Sequence, residues 1–287
     1  MRNAHDFTGE MIGTFLLVFF GCGAVAVTVL FGALSGLLQI ALVWGIAVTL
    51  AIYATRHLCC AHLNPAVSIA MVAAGRMRAN RLPGYLAGQF GGAFIAAALL
   101  YLLFADSIAQ YEALHGIVRG APASVQTAMI FGEFYPNPGA GNAAVVSSFT
   151  AFMAEAMGTF ALVFLIFSLT EGCNLGRPDD RLVPLFIGLT VAVIIAVIAP
   201  LTQAGMNPAR DLAPRLFAIM AGWGTAALPD RGLGFLTIYV LAPISGGLLA
   251  AFLFTRMIEP LMRTRGNSEN CCDIATTPQP ATEDETA

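Results

Sequence analysis

Long apolar runs alternate with short polar breaks over most of the chain. Six segments, at roughly 7–31, 36–56, 83–105, 147–170, 184–203 and 234–256, carry almost no charge. About 20 apolar residues in helical form cross a hydrocarbon core of about 30 Å, so each of these is predicted to span a membrane. Two shorter apolar stretches, 64–75 and 207–220, fall between them and are too short to cross. Residues 106–146 form a loop rich in Gly, Pro and Asn, and 257–287 a polar tail, expected to be disordered, that ends in TTPQPATEDETA.

The runs are not independent of one another. Glu10-Met-Ile-Gly13-Thr14-Phe15 recurs as Glu155-Ala-Met-Gly158-Thr159-Phe160, Asn64-Pro65-Ala66 recurs as Asn207-Pro208-Ala209, and Gly91-Gly92 recurs as Gly246-Gly247. Three landmarks in the same order at nearly constant spacing indicate an internal duplication. Each half then holds three spans and one short segment. Three is odd, so the second half enters the membrane from the opposite side, an inverted repeat of the kind that places a solute path at the bilayer midplane. The short segments become re-entrant half-helices, tolerated at membrane depth where their loops line a polar cavity. The expected organisation is one domain over 1–256, with halves at 1–105 and 147–256 joined by an extracellular loop 106–146, followed by a disordered cytoplasmic tail at 257–287.

Composition narrows the class and charge orients it. Only 11% of the 287 residues are charged and 57% are hydrophobic, with mean hydropathy +0.76; a soluble chain carries about 25% charged residues. The first run is longer than the apolar core of a secretion signal, so it reads as a retained span. The basic residues are all arginines. With the N-terminus inside, Arg2, Arg56, Arg76, Arg78, Arg81, Arg177, Arg181, Arg256, Arg263 and Arg265 are cytoplasmic, against Arg119, Arg210, Arg215 and Arg231 outside, which agrees with the positive-inside rule. Both termini are thus expected in the cytoplasm. Cys59–Cys60 and Cys271–Cys272 are adjacent pairs, unsuited to ordinary disulfides and unlike a spaced zinc site. Neither a cofactor nor a metal is expected.

Asn-Pro-Ala at the head of a short segment is first a helix start: Asn caps, and Pro at the first helical position lacks an N–H that would be orphaned there. Two copies at matching places in an inverted repeat imply more. Their N-termini meet near the midplane, each projecting partial positive charge, and each Asn amide can donate into the lumen. Arg210 costs about 2.5–3.5 kcal/mol at the centre of a membrane helix, which favours a lumen-facing role over simple snorkelling.

His62-Leu63-Asn64-Pro65-Ala66-Val67 and Gly205-Met206-Asn207-Pro208-Ala209-Arg210 resemble the paired signature of the aquaporin superfamily, the major intrinsic proteins. The resemblance continues through Trp44-Gly45, His115-Gly-Ile-Val-Arg119-Gly120, Tyr135-Pro-Asn-Pro138 and Ala221-Gly222-Trp223-Gly224. Asp211 after Arg210, with Arg215 four further on, is similar to the pattern of bacterial glycerol facilitators. The resemblance implies an all-α membrane fold, six transmembrane helices plus two re-entrant half-helices, and a homotetramer with one pore per subunit, conducting glycerol and similar neutral solutes with some water. It implies a selectivity filter at Trp44, Ile195, Ala204 and Arg210, and one wall of carbonyl acceptors from Cys60, Ala61, His62 and Leu63 and from Gln203, Ala204, Gly205 and Met206. An arginine and half-helix ends that repel cations are a general device of such pores. Glu10 and Glu155 are implied to brace the carbonyl-bearing loops, with His62 and Asp211 as further supports. The chain departs from the pattern at Ala204 and Ile195, where facilitators generally have Phe and Gly. Trp-Ile-Ala-Arg is similar to the filter of plant nodulin-26-like channels, so a metalloid-acid or urea channel is the alternative. Tyr239 stands for a Pro, and Cys59-Cys60 for Ser-Gly.

Other classes fit less well. A coupled transporter needs ion-binding acids in the membrane, and Glu10 and Glu155 are otherwise assigned. An enzyme needs a nucleophile–base or metal constellation, which four His and six Cys do not supply. The localisation that follows is the bacterial inner membrane.

Overall fold

The computed structural model describes residues 2–143, 145–229 and 232–266; Arg231, Cys271, Cys272 and most of the expected tail lie outside them. Eight helices position the site: α1 (Arg2–Phe31), α2 (Leu37–Thr55), α3 (Pro65–Ala73), α4 (Leu82–Leu114), α5 (Ser148–Thr170), α6 (Val183–Thr202), α7 (Pro208–Ala218) and α8 (Gly234–Thr264). All but α3 and α7 are long and apolar enough to cross a membrane. Their outward faces are apolar: Leu102 is 74% and Val193 64% exposed, as a lipid-facing surface requires. The buried polar groups, Glu10, Gln89, Glu155 and Asp211 among them, lie inside instead.

Helix packing repeats between the halves because small residues sit at the crossings. A Cβ on Gly92 of α4 would lie 2.2 Å from the Met11 carbonyl oxygen of α1, and one on Gly246 of α8 would lie 2.0 Å from that of Ala156 in α5. Met11 and Ala156 are the residues after Glu10 and Glu155, so these are one contact made twice. A third crossing joins the halves, α2 to α6, where Gly45 and Gly188 face each other: a Cβ on Gly45 would stand 2.5 Å from the Gly188 oxygen. That pair has no counterpart in the sequence reading. A Cβ on Gly247 would lie 3.2 Å from the Ala66 oxygen, whereas one on Gly91 would meet nothing within 4 Å among the described residues.

Two boundaries also move. Helix α4 continues nine residues past the apolar run, to Leu114, inside the segment expected as loop. There Glu112 is tied to Arg119 and to Thr127 at 2.7 Å. The last helix runs on to Thr264, into the expected tail, with wide π-type turns at Thr237–Leu241 and Phe254–Ile258. Glu259 pairs with Arg76 at the end of α3.

Candidate functional site

The half-helices start where the sequence places them. Pro65 and Pro208 are the first helical residues, and Asn64 and Asn207 are the N-caps. Asn64 Oδ1 accepts from the Ala66 N–H at 2.8 Å; Asn207 Oδ1 accepts from Ala209 at 3.1 Å and Arg210 at 3.2 Å. With each oxygen committed to its own helix, each amide nitrogen points away from it. Asn64 Nδ2 donates to the Met206 carbonyl at 2.9 Å, and Asn207 Nδ2 donates to the Leu63 carbonyl at 2.7 Å. The two halves therefore hold each other where the half-helices meet, by a reciprocal pair of bonds that uses one of the two hydrogens on each amide. The carbonyls of Leu63 and Met206, expected as free rungs of the ladder, are already partnered.

The loops entering the half-helices are strained in matching places. Ala61 and Leu63 have φ of 51° and 54°, while Ala204 and Met206 have 60° and 49°; Gln203 adds 61°. Left-handed backbone at non-glycine residues costs on the order of 1–3 kcal/mol each and persists only when its surroundings over-determine it. Here every amide of the two segments is engaged from behind. Glu10 accepts from His62 at 2.8 Å and Leu63 at 2.7 Å, and Glu155 from Gly205 at 2.8 Å and Met206 at 2.6 Å. Tyr85 accepts from Cys60, Cys59 Sγ from Ala61, Thr202 Oγ1 from Ala204, and the Ala199 carbonyl from Gln203. Gln89 and Thr202 complete the carboxylates, and the His62 ring meets Ser68 Oγ at 3.1 Å. With the N–H groups turned outward, the carbonyls are the acceptors left for the lumen.

That lumen is two cavities. The inner one, about 680 Å³, reaches from Arg56 and Asp180 to Arg210 and is lined by Cys60–Asn64 and Gln203–Asn207 together with apolar groups that include Val48, Ile52, Ile166 and Val191. The outer one, about 540 Å³, is lined by Tyr111, Gln126, Glu133 and Asn137 among others. They share Trp44, Ile195, Gln203 and Arg210. Three of these are expected filter residues. The fourth is Gln203 rather than Ala204, which borders the inner cavity alone. The Gln203 side chain accepts from the Phe134 N–H at 2.9 Å, which ties its amide to the loop before α5. Arg210 lies 4.3 Å over the Trp44 ring, a cation–π contact where the two cavities adjoin.

Sequence reasoning missed the partner of Arg210. Glu133, in the loop before α5, forms an ion pair with its guanidinium; Arg210 is 4% exposed and Glu133 0%. Beyond that pair neither carboxylate oxygen receives a hydrogen bond among the described residues, and Arg210 Nη1 has no partner. Burial pushes the Glu133 carboxyl up, to about 8, with Arg210 pulling against it. Asp211 and Arg215 explain how Glu133 gets there. Asp211 Oδ1 accepts from the Glu133 N–H at 2.7 Å while Arg215, fully buried and paired with Asp211, donates to the Glu133 carbonyl at 2.5 Å. The only sequence signal was an acid among aromatics, Phe131-Gly132-Glu133-Phe134-Tyr135. Among the described residues no cluster of three or more His, Cys, Asp or Glu could hold a metal ion.

Six crossing helices, two half-helices meeting by their capped N-termini and a divided central lumen define a helical membrane pore built on an inverted repeat. The profile of the major intrinsic protein family matches residues 1–254, and the chain belongs to that family. It is 42% identical over 251 residues to the glycerol uptake facilitator of Haemophilus influenzae, covering 87% of this chain and 92% of that one. It is 39% identical over 250 residues to the propanediol uptake facilitator of Citrobacter freundii, covering 87% and 90%. Among solved structures, the aquaglyceroporin from Plasmodium falciparum superposes with a TM-score of 0.78 at 26% identity, covering 91% of this chain and 99% of that one.

Proposed function

We propose that this chain is a passive channel for glycerol and similarly sized uncharged solutes, with some water permeability. One observation carries the reading: the lumen is lined by two backbone segments, 60–63 and 203–206, whose N–H groups are all engaged by partners behind them, and by apolar side chains. A polyol entering this path leaves water but keeps its hydrogen bonds. Its hydroxyls meet carbonyl acceptors from 60–62 and 203–205, the second hydrogens of the Asn64 and Asn207 amides, and the unpartnered Nη1 of Arg210. Its carbon backbone slides along Trp44, Val48 and Ile195. An ion finds no such replacement for its hydration shell, and its transfer is opposed by desolvation of many kcal/mol. The buried acids Glu10 and Glu155 are occupied by backbone amides, so they serve as braces rather than as sites for a coupling ion. Names of the relatives, glycerol and propanediol facilitators, support a polyol over the metalloid-acid or urea alternative.

The reading extends to both termini in the cytoplasm, an inner-membrane location, and a homotetramer with one pore per subunit. It includes no chemical conversion. Stopped-flow light scattering on proteoliposomes tests it, with water, glycerol, urea and arsenous acid gradients. Glycerol flux well above bare lipid, linear in the concentration gradient and not accelerated by solute on the far side, is expected. Saturation with accelerated counterflow would replace the channel by a carrier, and arsenous acid flux exceeding that of glycerol would favour the alternative filter.

A further inference from the structure

A buried arginine solves only half of the problem of excluding ions. The guanidinium and the half-helix N-termini beside it repel cations, yet the same arrangement attracts anions; helix N-termini are ready-made anion sites. A constriction with Arg210 alone would leave the barrier to small anions lower than the barrier to cations. The buried charges around the constriction contain the answer in their pairing. Arg215 is matched by Asp211, Glu155 accepts two backbone amides and a hydroxyl, and Glu133, from the connecting loop, is matched to Arg210.

Glu133 is not placed there by its own side chain. Its N–H is fixed by Asp211, its carbonyl by Arg215, and the next N–H by Gln203. Three consecutive backbone groups are clamped, and the carboxylate is left, fully buried, on the guanidinium at the wall of the outer cavity. A clamp this complete would be superfluous if the acid merely filled space. We infer that Glu133 is a specificity-determining residue: its carboxylate cancels the charge of Arg210 at the constriction, so that anions as well as cations are refused while neutral solutes pass. Nη1 of Arg210, which Glu133 does not engage, keeps its hydrogen-bond donors for the solute. The inference rests on the filter reading above, and ion leak of the two signs separates the failure of one from the failure of the other.

The test uses purified full-length protein in proteoliposomes at pH 9. Chloride influx is read by quenching of an entrapped halide-sensitive dye, with potential clamped by valinomycin and potassium; cation influx is read with thallium. Insertion of each variant is checked by circular dichroism and monodispersity in detergent. In Glu133→Gln, chloride influx is expected to rise about tenfold or more, as an unbalanced positive charge focuses anions, with thallium influx at the wild-type level. Glu133→Asp keeps the charge and should reject chloride as wild type does. Arg210→Gln leaves Glu133 unbalanced and should admit thallium, and the double variant Glu133→Gln/Arg210→Gln should lose that leak. Chloride rejection intact in Glu133→Gln would overturn the inference, as would equal chloride leaks in the Gln and Asp variants, which would make shape rather than charge the cause. If Glu133→Gln does not insert, the Arg210→Gln background decides: a thallium leak unchanged by adding Glu133→Gln overturns the inference, and its loss supports it. Arg210→Gln tight to both ions would remove the filter reading itself.

Discussion

Cys60 and Cys59 are neighbours in sequence and opposites in environment. Cys60 is exposed and borders the inner cavity at the start of the carbonyl wall, with its N–H held by Tyr85. Cys59 is buried, and its sulfur accepts the Ala61 N–H at 3.2 Å. Reaction of a thiol needs access as well as thiolate character, so a mercurial entering from the lumen should meet Cys60 alone of the two. Glycerol flux through wild type and Cys59→Ser is expected to fall several-fold on treatment with a small mercurial, and flux through Cys60→Ser to resist it. Equal block of all three proteins would move the reactive thiol elsewhere. The residue scale is also where sequence reading is most uneven. Asn64, Asn207, Glu10 and Glu155 were legible because the duplication prints each of them twice, and a chance acid or amide is not copied in register. Glu133 has no such twin. It belongs to the connecting loop, outside both repeats, and its importance comes from backbone clamps by Asp211, Arg215 and Gln203 that no local pattern encodes.

Among the elements, hydropathy read the bilayer more faithfully than it read the helices. The apolar run ending near 105 marks the edge of the hydrocarbon, whereas α4 continues to Leu114 because Glu112 finds Arg119 and Thr127 there. In the same way α8 outlasts its apolar stretch, with Arg76 and Glu259 joining its end to that of α3. Crossing geometry was legible in part, since doubled glycines mark close approach but do not say which of each pair is in contact. A Cβ on Gly92 or Gly246 would meet backbone; one on Gly91 would meet nothing within 4 Å among the described residues. This asymmetry makes a prediction. At Gly246 an added methyl would sit 2.0 Å from a carbonyl oxygen, backbone that cannot rotate away, and α5 and α8 would have to separate. Overpacking of a well-packed contact costs about 1–3 kcal/mol. Gly246→Ala is expected to lower the melting temperature in detergent by several degrees and to reduce the yield of monodisperse protein, while Gly91→Ala leaves the monomer fold unaffected. A stable Gly246→Ala protein melting with wild type would show that the crossing yields more readily than its geometry implies.

Over the whole molecule, the inverted repeat is a division of labour between two halves that fold alike and meet head to head. Each half strains its own entry loop, braces it with its own glutamate and caps its own half-helix. None of this fixes the halves to each other. That falls in part to the Gly45–Gly188 crossing and to the two bonds from Asn64 to Met206 and from Asn207 to Leu63, beside contacts such as Gly247 with Ala66 and Arg76 with Glu259. The sequence disclosed both asparagines and their meeting, but read their amides as lumen donors; the reciprocity needs the cap oxygen to be committed first, which only the folded backbone shows. Replacing either Asn by Ala removes an N-cap, about 0.5–2 kcal/mol, and a bond across the midplane, about 0.5–1.5 kcal/mol. It also leaves a carbonyl of the opposite half unpaired. Asn64→Ala and Asn207→Ala should therefore destabilise to a similar extent, although one lies in each half and they share no hydrogen-bond partner. The double variant should lose less than the sum, because the first loss already lets the half-helix ends relax apart and weakens the second bond. Thermal melting of the four proteins in one detergent measures the cycle, and glycerol flux in liposomes should follow the same order. Strict additivity, or a large effect at one asparagine and none at the other, would mean that the halves are held together elsewhere and that the reciprocal bonds only accompany the fold.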